Sequence, residues 1–200
     1  MLQVPNFHIT LFLLAYFGLF GFLTFLSRKK KLFGKKLEEY LRPSIPFALL
    51  AAGAVWSQYA VCLATGNGLI CRIAQGVWGA AVGISAALLA KKEDFKLKNT
   101  LILGILYSLF IHGAKATIRY VLYGQHDSVY RTARYILGRF FYGSILVMGI
   151  AWVVTASVKL MAETKNKTWS KKASFYFVNM LLAGLLTLLS TVVYQKYILF

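Results

Sequence analysis

Acidic side chains are scarce. The chain carries six Asp and Glu against 23 Lys and Arg in 200 residues, a formal net charge of +17. All six acids fall in polar connectors or at their edges, and none stands inside an apolar run. Proton relays and cation pathways through membranes rest on intramembrane carboxylates, so this distribution excludes a carboxylate-coupled mechanism and a cation filter. Cysteine and histidine are also few. Two Cys, three His and no Cys-x-x-Cys exclude a dense disulfide framework and the usual structural zinc sites, so neither a metal nor a cofactor is expected. A secretory signal is not expected either. Residues 1–10 lack a basic stretch, and no small-x-small cleavage pattern appears before Arg28.

Hydrophobic residues make up 58% of the chain and aromatics 16%, with a mean hydropathy of +0.62. These values take it out of the soluble class. A bilayer core needs roughly 20 apolar residues per helix. By that ruler the chain reads as an all-α, polytopic integral membrane protein: one transmembrane domain over residues 1–200, a six-helix bundle with spans near 7–27, 44–65, 69–90, 100–123, 135–158 and 173–199. Pro43 and Pro46 mark the start of the second span, where a first-turn proline is tolerated. Gly66-Asn67-Gly68 reads as a tight uncharged turn. Gly76, Gly79 and Gly83 form a strip on the third span where another helix can approach. On the sixth span Asn179, Ala183, Thr187, Ser190 and Tyr194 share one face and read as a seam toward the bundle.

The basic residues punctuate the spans in short blocks, which argues against nucleic acid as a partner. Arg28, Lys29, Lys30, Lys31, Lys35, Lys36 and Arg42 follow span one. Lys91, Lys92, Lys96 and Lys98 follow span three, and Lys159, Lys165, Lys167, Lys171 and Lys172 follow span five. The turn at 66–68 and the connector at 124–128 hold none. The positive-inside rule then puts the three basic loops in the cytoplasm and both termini outside.

Seven cations break that rule by falling toward the outer side: Arg72, Lys115, Arg119, Arg131, Arg134, Arg139 and Lys196. The segment 101–123 stands out among them. Ser108, His112, Lys115, Arg119 and Tyr123 recur at helical spacing through an otherwise apolar run. From an inner boundary near Thr100, His112 stands about 18 Å up and Lys115 about 22 Å. A central cation costs about 2.5 to 3.5 kcal/mol on insertion scales, so something must compensate it. Asp127 is the single acid on that side, which leaves lipid phosphate, water, backbone carbonyls or an anionic ligand. Arg72, His112, Lys115, Arg119, Arg134 and Arg139 are therefore the candidate ligand-binding residues, and packing of span three on span four could bring Arg72 beside Lys115 and Arg119.

Enzyme patterns fit less well. The spacing Lys35-x6-Arg42-Pro43 resembles the first motif of lipid phosphatases that use a phosphohistidine, but their two companion motifs are absent. Gly83-Ile84-Ser85-Ala86 resembles the serine turn of rhomboid proteases without its final glycine. Cys71, then Lys115 or Arg119, then Arg134 or Arg139 resembles the order of Cys, Arg and a second basic residue in exosortase-type and archaeosortase-type membrane transpeptidases. Cys71 lacks the Cys-x-Gly context of that family. That resemblance implies Cys71 as an outer-face nucleophile favoured by nearby cations, with His112 as the other reactive candidate.

The expected function is a transporter or channel component for an anionic or polar solute or lipid. An outer-face enzyme and a non-catalytic subunit are the alternatives, and the reading leans away from an enzyme. The expected partners are membrane lipids, anionic ones foremost, together with homo- or hetero-oligomeric contacts. Cys62 and Cys71 flank the 66–68 turn at similar depth, so a disulfide between them is open, as are two buried thiols.

Overall fold

A computed structural model describes residues 31–66, 68–92, 94–115, 129–165 and 169–197, with isolated positions between 14 and 28. Side chains at 59–60, 62–64, 129–137, 139, 195 and 197 lie outside that description. The described chain is all-helical apart from its connectors. Helix α1 spans Leu37–Thr65, α2 Gly68–Ala90, α3 Leu97–Ser108, α4 Val129–Thr164 and α5 Lys171–Tyr197. Three stretches are long and apolar enough to cross a membrane, Gly68–Ala90, Phe140–Thr164 and Lys171–Tyr194, and they fit an integral membrane protein. The first expected span lies outside the described residues.

Local chemistry sets several of these boundaries. Leu32 and Lys35 close a tight turn by exchanging two backbone hydrogen bonds of 2.7 and 3.1 Å. Its central residues, Phe33 and Gly34, both take positive φ, at 49° and 88°, as a two-residue turn of this hand requires. Helix α1 then begins seven residues earlier than the prolines imply. Pro43 and Pro46 stand inside it, which corrects their expected place at its start. Each proline lacks an N–H and so leaves a carbonyl one turn back without its helical donor. Ser44, between them, donates its hydroxyl to the Tyr40 carbonyl at 2.7 Å, and so adds a side-chain bond to this weakened turn. Gly66 ends α1 with φ at 64°, and α2 returns alongside it.

Helix α3 does not stay α-helical. After Ser108 it widens into a π-turn over Leu109–Gly113, and helical geometry resumes at Ala114 and Lys115. The inserted residue breaks the regular spacing assumed for Ser108, His112 and Lys115. Helix α4 has 36 residues, about 54 Å at 1.5 Å per residue, well beyond the roughly 30 Å of a hydrocarbon core.

The packing runs α1 on α2, α2 and α3 on α4, and α4 on α5. Val55, Ala81, Val82, Ala86, Leu103, Ile111, Val147 and Ala151 fill the middle and are fully buried. The glycines that matter are not those of the expected strip. A Cβ at Gly79 or Gly83 would meet Ile150 or Val154 at ordinary distances of 3.9 and 3.7 Å, and one at Gly76 would meet nothing. At Gly104 it would stand 2.7 Å from Met148 Cγ and 3.2 Å from its Cα, so α3 and α4 approach here with no room for a side chain. At Gly149 it would collide with the Thr187 hydroxyl, which draws α5 onto α4. The α5 seam otherwise forms as its spacing implies. Ala183 is buried, and Tyr194 stacks on Tyr142 of α4 at 4.3 Å. The rest of α5 exposes Leu185, Leu188 and Leu189 at 60% or more, as a helix solvated by lipid can.

Candidate functional site

Two polar clusters occupy the described helices, one among the basic connectors and one deep at the junction of α2, α3 and α4. The first fixes the basic connectors to one another. The Lys35 side chain, 5% exposed, donates to the Asp94 carboxylate and pairs with Glu39 at 3.6 Å. Lys98 lies over the Phe33 ring at 5.8 Å, and Lys159 of α4 donates to the Lys92 carbonyl at 2.8 Å. These contacts bring all three basic blocks to one end of the molecule. Burial alone would push the Lys35 ammonium down, but Asp94 and then Glu39 hold it above its ordinary value of 10.5. Asp94 sits below its ordinary 3.8 because Lys35 donates to it. Glu39 is lowered first by the backbone N–H of Lys36, which donates to it at 2.9 Å.

From this end a line of hydrogen bonds climbs into the bundle. Tyr40 donates to the Leu32 carbonyl at 2.9 Å. Asn99 donates to the Tyr40 hydroxyl and to the Phe33 carbonyl at 3.1 Å, and its own oxygen accepts the Lys96 N–H at 2.8 Å. Higher up, the Tyr107 hydroxyl donates to the Ser44 carbonyl at 3.3 Å and shares a hydrogen bond with Ser85. Asn99, Tyr107 and Ser85 are each at most 1% exposed. Every member has a partner, as buried polar groups require. Ser85 is thus held by a tyrosine and not by His112, the dyad partner that the rhomboid likeness would need.

The second cluster is built around His112. The π-turn carries the imidazole, 6% exposed, into a slot walled by α2 and α4. The wall from α2 is Trp78, whose ring meets the imidazole edge-on at 5.8 Å and 82°. The wall from α4 is the backbone at Gly143, where a Cβ would overlap Cε1, Nδ1 and Nε2 of His112. Lys115, half-buried, places its ammonium over the Trp78 ring at 4.8 Å. A cation in that position is attracted by the ring quadrupole, by up to about 2 kcal/mol when desolvated. Part of the cost of holding Lys115 in an apolar segment is offset there.

Three further polar atoms belong to residues around this slot. Trp78 Nε1, Ser108 Oγ and Ser144 Oγ are buried without a hydrogen-bond partner. Trp78 touches the imidazole, Ser108 lies about one turn before it on α3, and Ser144 follows Gly143. Hydroxyls and an indole N–H can all donate to an anion or to a polar solute, and leaving such groups unmatched costs about 1 to 3 kcal/mol each.

The expected site residues divide accordingly. His112 and Lys115 come together, with Trp78 between them. Arg72 is exposed and lies about 9 Å along α2 from Trp78, so the residue of α2 that meets Lys115 is Trp78 and not Arg72. Arg119 lies outside the described residues, as do the side chains of Arg134 and Arg139. Cys71 is disulfide-bonded, and Cys62 is the chain's one other cysteine. In that state its sulfur has no thiolate to offer as a nucleophile. Trp78 and Gly143 were not among the expected residues. An indole in the middle of a span, away from the interfacial belts where Trp collects, is the sequence signal for Trp78.

No known protein family, no curated protein and no solved structure matches this chain.

Proposed function

We propose that the chain is a six-span membrane protein that binds an anionic or polar solute, or a lipid headgroup, beside His112 and Lys115, and serves as a transporter or channel component. The observation that carries this reading is the Lys115 ammonium over the Trp78 ring, which also meets the buried His112 imidazole, with unmatched Trp78 N–H, Ser108 and Ser144 groups on the same stretches of α2, α3 and α4 and no carboxylate among the described residues there. Such a set favours negative charge or lone pairs. A slot on a π-turn is also where functional irregularity of helices tends to fall.

Two features support the proposed orientation, with the basic connectors cytoplasmic. Three basic blocks share one end, as in a cytoplasmic face, and the disulfide at Cys71 sits at the other end, as an oxidising compartment permits. The donor cluster then opens toward the extracytoplasmic half, where Arg119, Arg134 and Arg139 would extend it.

The test is flux in proteoliposomes loaded with chloride, phosphate or sulfate. Wild type conducts at least one of these, and Lys115→Met reduces that flux at least about tenfold while its melting temperature is kept. Equal flux in the two proteins overturns the reading. Loss of a co-purifying membrane partner in Lys115→Met assigns the cation to a subunit interface instead.

A further inference from the structure

A trough runs between α1 and α3, from the basic half of the molecule up to Phe110 in the π-turn. Its walls are Leu41, Ser44, Ala48 and Ala52 from α1 with Leu103 and Tyr107 from α3. It exists because α1 packs chiefly on α2 and α3 chiefly on α4, which leaves these two helices side by side with little between them. The hydroxyl of Tyr107 is turned inward to Ser85 and the Ser44 carbonyl, and that of Ser44 to Tyr40. Among the described residues the trough therefore presents only carbon, a lining that suits a hydrocarbon occupant.

Its length and its mouth narrow the choice. From Leu41 to Ala52 is about 16 Å of helix, close to half of the roughly 30 Å hydrocarbon core. That is the depth one leaflet's acyl chain covers. The lower end, at Leu41, lies one turn from the start of α1 beside the basic connectors. Arg42 stands two turns before Leu49, another lining residue, on the same face of α1, and Lys96 is the N-cap of α3, at the same basic end. Both cations are exposed. Among the described residues the ion pairs at this end all belong to Lys35, so Glu39 and Asp94 are already engaged, and Glu38 is the other described acid beside Arg42.

We propose that this trough is a binding site for an anionic phospholipid of the basic-end leaflet, its acyl chain lying against Ala48 and Tyr107 and its phosphate held by Arg42 and Lys96. An apolar chain and a net negative headgroup match a carbon-lined trough with cations at its basic end, whereas in a zwitterionic lipid the headgroup cation beside the same phosphate offsets much of that attraction. The site does not depend on the solute reading of the His112 slot.

The test uses the full chain in nanodiscs holding equal phosphatidylglycerol and phosphatidylcholine of the same chain length. A photo-crosslinking phenylalanine analogue replaces Leu49 at the trough edge, and adducts are read by mass spectrometry. The expected phosphatidylglycerol adducts exceed those of phosphatidylcholine at least about threefold. Arg42→Gln brings the ratio back toward one, and Ala48→Trp, which fills the trough, lowers lipid adducts of both kinds. A ratio of one in the wild-type background overturns the proposal. So does cross-linking mainly to residues 1–30 of the same chain or to a second copy, since the trough would then be a helix-packing site.

Discussion

Gly143→Ala tests whether the His112 slot is as tight as its geometry implies. The added methyl group would overlap three atoms of the imidazole. The ring cannot tilt freely away, because Trp78 stands against it and the main chain that carries it is a buried π-turn. To reach the roughly 3.5 to 4.0 Å at which carbon atoms pack, the ring or α4 must move by more than an ångström. Overpacking of this kind costs about 1 to 3 kcal/mol. In a chain of this size each kcal/mol is worth roughly 2 to 4 °C of melting temperature, so the expected fall is about 2 to 12 °C. Tryptophan fluorescence during heating of the detergent-solubilised protein reads the shift. His112→Ala removes the ring that is struck, so Gly143→Ala should cost at least about 1 kcal/mol less in that background. The reasoning is refuted if Gly143→Ala leaves the melting temperature unchanged, or if its cost is the same with and without the imidazole.

Two other predictions concern the ends of the bundle. The Lys35–Asp94 link should contribute about 1 kcal/mol or less, since Asp94 is largely exposed. Asp94 is lowered in the fold, so its share is present above its ordinary 3.8 and disappears as the pH falls through its lower folded value. Lys35 is raised, so its share holds below 10.5 and disappears as the pH climbs through its higher folded value. The melting-temperature difference between wild type and Asp94→Asn should therefore be constant from about pH 5 to 9 and shrink in acid; a difference that grows in acid would contradict the assignment. At the other end, the denatured chain should show no maleimide-reactive thiol before reduction and two after it. Cys71→Ser should cost up to about 2.7 kcal/mol, the loop-closure value for about ten residues.

Much of the architecture was legible because lipid makes strict demands. Apolar length and turn chemistry placed the hairpin at Gly66, the long helix that begins at Val129 and the seam of α5 through Ala183 and Tyr194. The basic connectors, read from charge as sharing one side, touch through Lys35, Lys98 and Lys159, while their side of the membrane belongs to the proposed reading. What was not legible depended on rotation and on local irregularity. Spacing gives the depth of Arg72 and Lys115 but not the direction in which either helix turns, and Trp78 took the place expected for Arg72. The π-turn at Leu109–Gly113 has no residue signature, so regular periodicity misjudged the line from Ser108 to Lys115. Pro43 and Pro46 misled for a different reason. The bonds from Asn99 to Tyr40 and from Tyr107 to the Ser44 carbonyl are tertiary, and with the local Ser44 bond they stabilise a helix start that proline alone would disfavour.

The two polar clusters differ in one respect that bears on their roles. Near the basic end, Tyr40, Ser44, Asn99, Tyr107 and Ser85 each have a partner, and the set ties α1, α2 and α3 together with the Leu32–Lys35 turn. A fully matched network of this kind rigidifies a core and explains itself without a ligand. Around His112 the balance is reversed. Trp78, Ser108 and Ser144 keep buried polar atoms unmatched beside a lysine held by an indole face. Thr100, Thr155 and Gln58 also keep one each, but the threonines lie about three turns from the slot along α3 and α4, and Gln58 is on α1. If the His112 cluster served stability alone, apolar residues of the same size at Ser108 and Ser144 would serve it better, because each orphaned hydroxyl is a cost in an apolar interior. Ser108→Ala and Ser144→Ala should accordingly leave the melting temperature unchanged or raise it, while lowering anion flux in the proteoliposome assay. A fall in melting temperature with unchanged flux would move these residues from the solute site into the packing of the bundle.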